Sequence, residues 1–261
     1  MARRDLDPLW QRFSGVTRAR IGLGRSGDAL PTEHSLEFQY AHACARDAVM
    51  AHADFERLGL ELAPRPHLCV RSAARDRQTY LRRPDLGRQL AADCRALLPS
   101  GPHDAVFVVA DGLSASAVQQ HAVPLLDALC ARLPGWELGP VVLAAQARVA
   151  LGDEVGDLMG AQMVVVLIGE RPGLTVPNSL GAYLTFAPRV GRSDAERNCV
   201  SNIHANGLSY AAAASKLEWL MSQARTRRLT GVGLKEDAPA DDVPELGQTP
   251  TPKASLPPGG L

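Results

Sequence analysis

The chain has 261 residues, 46% hydrophobic and 21% charged, which is enough apolar material for one sizeable core, alone or with a smaller appendage. Lys+Arg and Asp+Glu both total 28, so the formal net charge is zero and carries no footprint for nucleic acid or an anionic membrane. The longest apolar run, Met163 to Ile168, is far short of the roughly 20 residues of a membrane span, and MARRDLDPLW has no apolar stretch that would make it a secretory signal.

Residues 1–34 are polar and mixed and end in the Gly-rich stretch IGLGRSGDALP. From Ser35 to about His52 the spacing is helical, with Leu36, Tyr40, Ala43 and Cys44 on one face. LAPRPHLCVRSAA predicts a short strand between turns. RRPDLGRQLAADCRALL predicts a helix, with Pro84 in its first turn and Leu86, Leu90 and Leu97 as its apolar stripe. After the turn at Ser100 to Pro102, Ala105 to Ala110 is a continuous apolar run, the pattern of a strand buried on both faces of a parallel sheet. It ends in Asp111-Gly112-Leu113-Ser114, and a helix follows from Ala115 to Arg132. Val141 to Ala145 is a second strand, with Val149 in a short continuation beyond it. Asp153 to Met159 reads as a short helix, Met163 to Ile168 as a third buried strand and Leu180 to Phe186 as a further one. Ser209 to Arg225 is the clearest helix, N-capped by Ser209, with Ala213, Leu217, Leu220, Met221 and Ala224 on one face. Strands alternating with helices predict a doubly wound, largely parallel α/β sheet. Beyond Gly231, Pro, Gly and Asp dominate, and this tail is expected to be disordered.

Gly22-Leu23-Gly24-Arg25-Ser26-Gly27 is a literal G-x-G-x-x-G. A dinucleotide fingerprint needs a strand before it and a helix opening on it, and Pro31 disfavours that helix. The stretch therefore reads as a glycine-rich turn, with NAD binding as the competing reading. The loops after the buried strands carry more, because ligands of open α/β sheets gather outside the strands' carboxyl ends. These are Asp111 to Ser114, the Ala147-Arg148-Val149 region and Gly169-Glu170-Arg171-Pro172-Gly173. In the last, Glu170 is either an acceptor for ligand amides or part of a solvated turn. Cys199, in Arg197 to His204, is either a nucleophile or a small half-buried hydrophobe. The seven histidines show no metal-ligand spacing, and there is no nucleophile elbow or Walker loop. Five cysteines without a C-x-x-C pair point to a reduced, cytoplasmic protein.

Several segments together resemble the ethanolamine ammonia-lyase small subunit (light chain). They are ARIGLGRSG, YLRRPDLGRQL, VADGLSASAV, VVVLIGERPGL, SLGAYLTFAPR and DAERNCVSNIHANGLSYAAAA, in the family's order from Ala19 to about residue 225. The resemblance implies a Rossmann-like domain over 100–230 and a smaller, mainly helical part over 1–99; the Pro-rich tail over 231–261, read from composition, has no counterpart in it. It implies a large (β/α)8-barrel subunit as partner, six of each chain, with adenosylcobalamin at the interface of the two. Homolysis of that cofactor's Co–C bond would start the deamination of ethanolamine to acetaldehyde and ammonia, so a chain without its own catalytic apparatus is expected. Matching motif to motif, the family's cobalamin contacts fall on Val149, Glu170 and Cys199. The D-x-H-x-x-G of another cobalamin class is absent, which fits binding with the benzimidazole retained. Many members carry an N-terminal extension associated with bacterial microcompartments; only about twenty residues precede ARIGLGRSG here, so plain cytoplasmic location is expected. The competing functions are a stand-alone NAD-binding Rossmann enzyme and a non-enzymatic interaction module.

Overall fold

A computed structural model of the chain describes residues 8–17 and 19–235. Three helices open it: α1 (Pro8–Ser14), α2 (Thr32–Met50) and α3 (Phe55–Leu62). Strand β1 (His67–Arg71), the short helices α4 (Arg77–Arg82) and α5 (Pro84–Gly87) and a 3-10 turn over Ala92–Leu97 lead to β2 (His103–Ala110). Then come α6 (Ala115–Cys130), β3 (Val141–Ala145), α7 (Leu151–Leu158) and β4 (Ala161–Gly169). The chain finishes with β5 (Leu180–Phe186), β6 (Asn198–Ile203), α8 (Tyr210–Arg227) and a 3-10 turn at Gly231–Gly233.

The strands form one mixed sheet in the order β1-β3-β2-β4-β5-β6. β1, β3, β2 and β4 run parallel, while β5 is antiparallel to both its neighbours. The apolar runs predicted for β2 and β4 bury both their faces, and this places a layer of helices on each side. Phe107, Val109, Val165 and Leu167 pack against α6 and α8, whereas Val106, Val108, Val164 and Val166 pack against α7. β1 comes from the first 99 residues and pairs in register with β3, completing that edge of the sheet. In α8 every residue of the predicted stripe is buried, and Ser209 Oγ accepts the N-terminal hydrogen bond from Ala212 N (3.2 Å). No helix among the described residues is long and apolar enough to cross a membrane.

Four expectations need correction. The helix predicted over Arg82 to Leu98 breaks after Gly87, although Pro84 does start it. Its backbone is drawn into neighbouring elements: Gly87 O accepts from Arg148 N (2.8 Å), Leu90 N donates to Glu154 Oε2 (2.9 Å) and Ala91 N donates to Arg71 O (3.0 Å). The predicted face of α2 does not pack inward, since Leu36 and Tyr40 are exposed and Ala48 is the one buried residue of that helix. β6 was not foreseen as a strand, because NCVSNI buries only Val200 and Ile203 and so lacks an apolar run. The tail begins later than Gly231: Leu234 is buried in the core and its carbonyl accepts from Asn198 Nδ2 (2.7 Å). Residues 236–261, the remainder of the expected disordered tail, lie outside the described residues.

A candidate ligand cleft at the strand ends

The chain leaves β2 for α6 on one face of the sheet and leaves β3 for α7 on the other. The loops at these carboxyl ends therefore diverge, and an open cleft of about 410 Å³ lies between them. Gly112 and Leu113 line it after β2, Arg148 and Val149 after β3, and Ile168 to Arg171 at the end of β4, with Tyr80 and Tyr183 at its sides. Its floor is backbone. Gly112 has φ +56°, and a Cβ there would sit 2.3 Å from Gly169 O; a Cβ on Gly169 would sit 2.1 Å from Ser114 O. Only glycine permits that approach, which Leu113 N seals by donating to Gly169 O (2.9 Å).

Beneath the floor, a buried polar network fixes the loop after β3. Asp111, 1% exposed, accepts from Gln146 N (3.0 Å) and Ala147 N (3.2 Å). Arg77, 3% exposed, lies 3.6 Å from Asp111 and donates to Gly112 O (2.8 Å) and to Val49 O at the end of α2 (2.6 Å). The Tyr80 hydroxyl donates to Ala147 O (3.2 Å). The guanidinium groups of Arg77 (4.9 Å) and Arg148 (4.3 Å) both lie over its ring, so the same group that anchors the loop also supports the cleft wall.

Two of the three residues expected to contact cofactor, Val149 and Glu170, line the cleft. The third, Cys199, is brought alongside by sheet register, directly opposite the lining residue Tyr183. Glu170 Oε2 accepts from Ser179 Oγ (2.5 Å) and Asn202 N (3.4 Å), so the loop before β5 and strand β6 both hold its carboxylate. Gly181 leaves it room: a Cβ there would lie 2.9 Å from Glu170 Oε1. The loop before β5 is tied down in turn by His121, whose Nε2 donates to Asn178 O (3.0 Å) while Nδ1 accepts from Tyr210 OH (2.8 Å). Val200 and Ile203 face α8, leaving Cys199 exposed on the opposite side.

Although the Cys199 residue is exposed, loss of hydration around its sulfur pushes the thiol pKa up, against a lowering hydrogen bond from Tyr183 and with a raising contribution from Glu170. Burial likewise raises the Tyr183 hydroxyl, with Cys199 and Glu170 adding to it. Both groups keep their protons at neutral pH. A thiol held protonated beside a phenol and a carboxylate favours the reading of Cys199 as a packing surface over that of a nucleophile. Sequence reasoning singled out the Asp111 to Ser114 loop without the role of Asp111 in fixing its neighbour, and it missed Arg77, Tyr80, Ser179, Gly181 and Tyr183, none of which sits in a chemical motif. The one available signal was position, since Asp111 and Ser179 flank strand ends.

The Gly22 to Gly27 stretch lacks the dinucleotide context. Glycines 22, 24 and 27 have positive φ, Gly27 within a turn closed by a Ser26–Ala29 bridge; no strand precedes them among the described residues, and the next helix starts at Thr32. Gly22 packs against Trp10, whose Cβ would lie 2.8 Å from a Cβ placed there.

Fold and cleft thus define a mixed α/β protein with a candidate ligand cleft at the diverging strand ends of its sheet, lined by an apolar residue and a carboxylate, with the Cys199 thiol alongside. The chain belongs to the ethanolamine ammonia-lyase light chain family, whose model matches residues 7–235. It is 54% identical over 253 residues to the ethanolamine ammonia-lyase small subunit of Azotobacter vinelandii, covering 92% of this chain and 93% of that protein. The small subunits of Xanthomonas campestris and Ralstonia nicotianae are each 53% identical, over 251 and 247 residues, covering 91% of this chain and 90% of each relative.

Proposed function

We propose that this chain works as the small subunit of an ethanolamine ammonia-lyase, completing an adenosylcobalamin site together with a large (β/α)8-barrel subunit. One observation carries the reading: Val149 and Glu170, from distant segments, line a single cleft over a glycine floor, and Cys199 pairs in sheet register with Tyr183 of its lining. The donor set suits a corrin. Its periphery is amide and methyl groups, and the cleft offers a carboxylate acceptor, a valine side chain and a protonated thiol beside a bare backbone surface. When bound, adenosylcobalamin supplies a weak cobalt–carbon bond, a source of radical chemistry for converting ethanolamine to acetaldehyde and ammonia that no side chain of this chain offers.

The chain's own residues bind and orient. Glu170, clamped by Ser179, accepts N–H groups from the corrin's amide side chains. Val149 packs an apolar edge, held in place through the contacts of Asp111 and Tyr80 with the Gln146 to Ala147 backbone. Cys199 and Tyr183 form a wall that stays uncharged, so the ring meets no competing thiolate. We read the parallel β1-β3-β2-β4 core as Rossmann-like, and the assembly as six of each chain located in the cytoplasm.

Reconstitution tests the reading. The isolated chain should turn over no ethanolamine, and activity should appear only on mixing it with its large subunit and adenosylcobalamin. Correctly folded chains that fail to restore turnover in that mixture would refute it.

A further inference from the structure

Arg148 is held in the cleft wall with its charge uncompensated. Its backbone N–H donates to Gly87 O (2.8 Å), and its stem crosses Gly87, where a Cβ would meet Arg148 Cγ at 2.9 Å. Its guanidinium is stacked on Tyr80 at 4.3 Å. Among the described residues its one side-chain hydrogen bond is a long one, Nη2 to Tyr80 O at 3.5 Å, and Nε is buried with no acceptor. A guanidinium presents five donors in a rigid fork, and burying one of them unmatched costs free energy until an acceptor arrives.

The neighbouring charges do not supply that acceptor. Arg77, which also contacts the Tyr80 ring, has the same sign and is already paired with Asp111. Arg171, another cleft residue, is exposed and also positive. Glu170 is the one carboxylate lining the cleft, and it is engaged by Ser179 and Asn202. The cleft therefore has an acceptor at Glu170 and a fixed, unmatched cation at Arg148.

We propose that Arg148 recognises a phosphate-type oxyanion on the ligand of this cleft. Resting on the cobalamin reading above, that group is the phosphodiester of the cofactor's nucleotide loop, while the corrin amides turn toward Glu170. An amide carbonyl would fill one donor position but leave the charge unmatched, whereas a phosphate accepts the fork through two oxygens and neutralises it.

The test compares two ligands on the assembled complex of this chain with its large subunit, read by absorbance titration. Cyanocobalamin carries the phosphodiester; dicyanocobinamide keeps the corrin and its amides but lacks it. Arg148→Gln should weaken cyanocobalamin about tenfold or more and leave dicyanocobinamide within about twofold. Arg148→Lys should recover part of the loss, since it restores the charge without the fork. If Arg148→Gln fails to assemble, Arg148→Lys alone decides, a deficit confined to cyanocobalamin supporting the assignment. Equal losses for both ligands, or no loss for either, would overturn the phosphate assignment while leaving the cleft reading intact. A wild-type complex that binds neither ligand would instead overturn the cobalamin reading itself, and this assignment with it.

Discussion

Glu170 reaches into the cleft already oriented, because Ser179 donates to it at 2.5 Å and Gly181 gives it space. On the proposed reading its contribution is to ligand binding more than to the fold. Glu170→Ala should weaken cobalamin binding by the assembled complex about tenfold, the value of one or two hydrogen bonds to a charged acceptor, while leaving the melting temperature nearly unchanged. An unaltered Kd would reduce Glu170 to an ordinary turn residue. Cys199 makes a different prediction. Its pKa lies above the ordinary 9.0, so the folded state holds the thiol proton more tightly than the unfolded chain does. That contribution is complete below the unfolded thiol's pKa and is lost as pH rises through the folded one. Urea midpoints should therefore decline above about pH 9, in a range where thiols titrate. Cys199→Ser should flatten part of that decline. A decline identical in the variant would place its origin elsewhere.

Between elements, Asp153 and Arg197 form the most consequential ion pair. Asp153 lies in α7 and is 1% exposed; Arg197, just before β6, donates to both its oxygens at 2.5 and 2.6 Å and to Thr185 Oγ1 of β5 at 2.9 Å. This clamp joins α7 to the antiparallel edge that carries Cys199. Asp153→Ala would strand a buried guanidinium and should cost about 3–5 kcal/mol in chemical denaturation. Pairing it with Arg197→Met should recover most of the loss. If the double variant is no more stable than the single one, the pair is not acting as a unit. The same elements show why some of the fold was legible in the sequence. β2, β3, β4 and β5 announce themselves because strands buried by helices must be apolar, and α8 because its stripe repeats at helical spacing. β6 is silent because it buries only Val200 and Ile203, and its exposed residues carry no burial pattern. The segment after Pro84 looked like one helix because periodicity cannot register the backbone bonds that Arg148, Glu154 and Arg71 draw from it. Val149, Glu170 and Cys199 became visible through motif resemblance; Ser179 and Tyr80, which act on the site by contact alone, did not.

Across the whole molecule, stability is unevenly distributed. β2 and β4 are sealed between helical layers, whereas α2 buries Ala48 alone among its 19 residues. Hydrogen exchange on the isolated chain should rank α2 amides among the fastest of the helical ones and those of β2 and β4 among the slowest, since local opening follows local burial. Protection of α2 equal to that of α6 would contradict this ranking. A last consequence follows from the floor at Gly112 and Gly169. Peptide planes there touch with no room for a single carbon, so that part of the cleft has no side chain to exchange. Variation, natural or designed, is confined to the walls: the floor sets what shape of molecule can lie against the sheet, and the residues around it only choose among molecules of that shape.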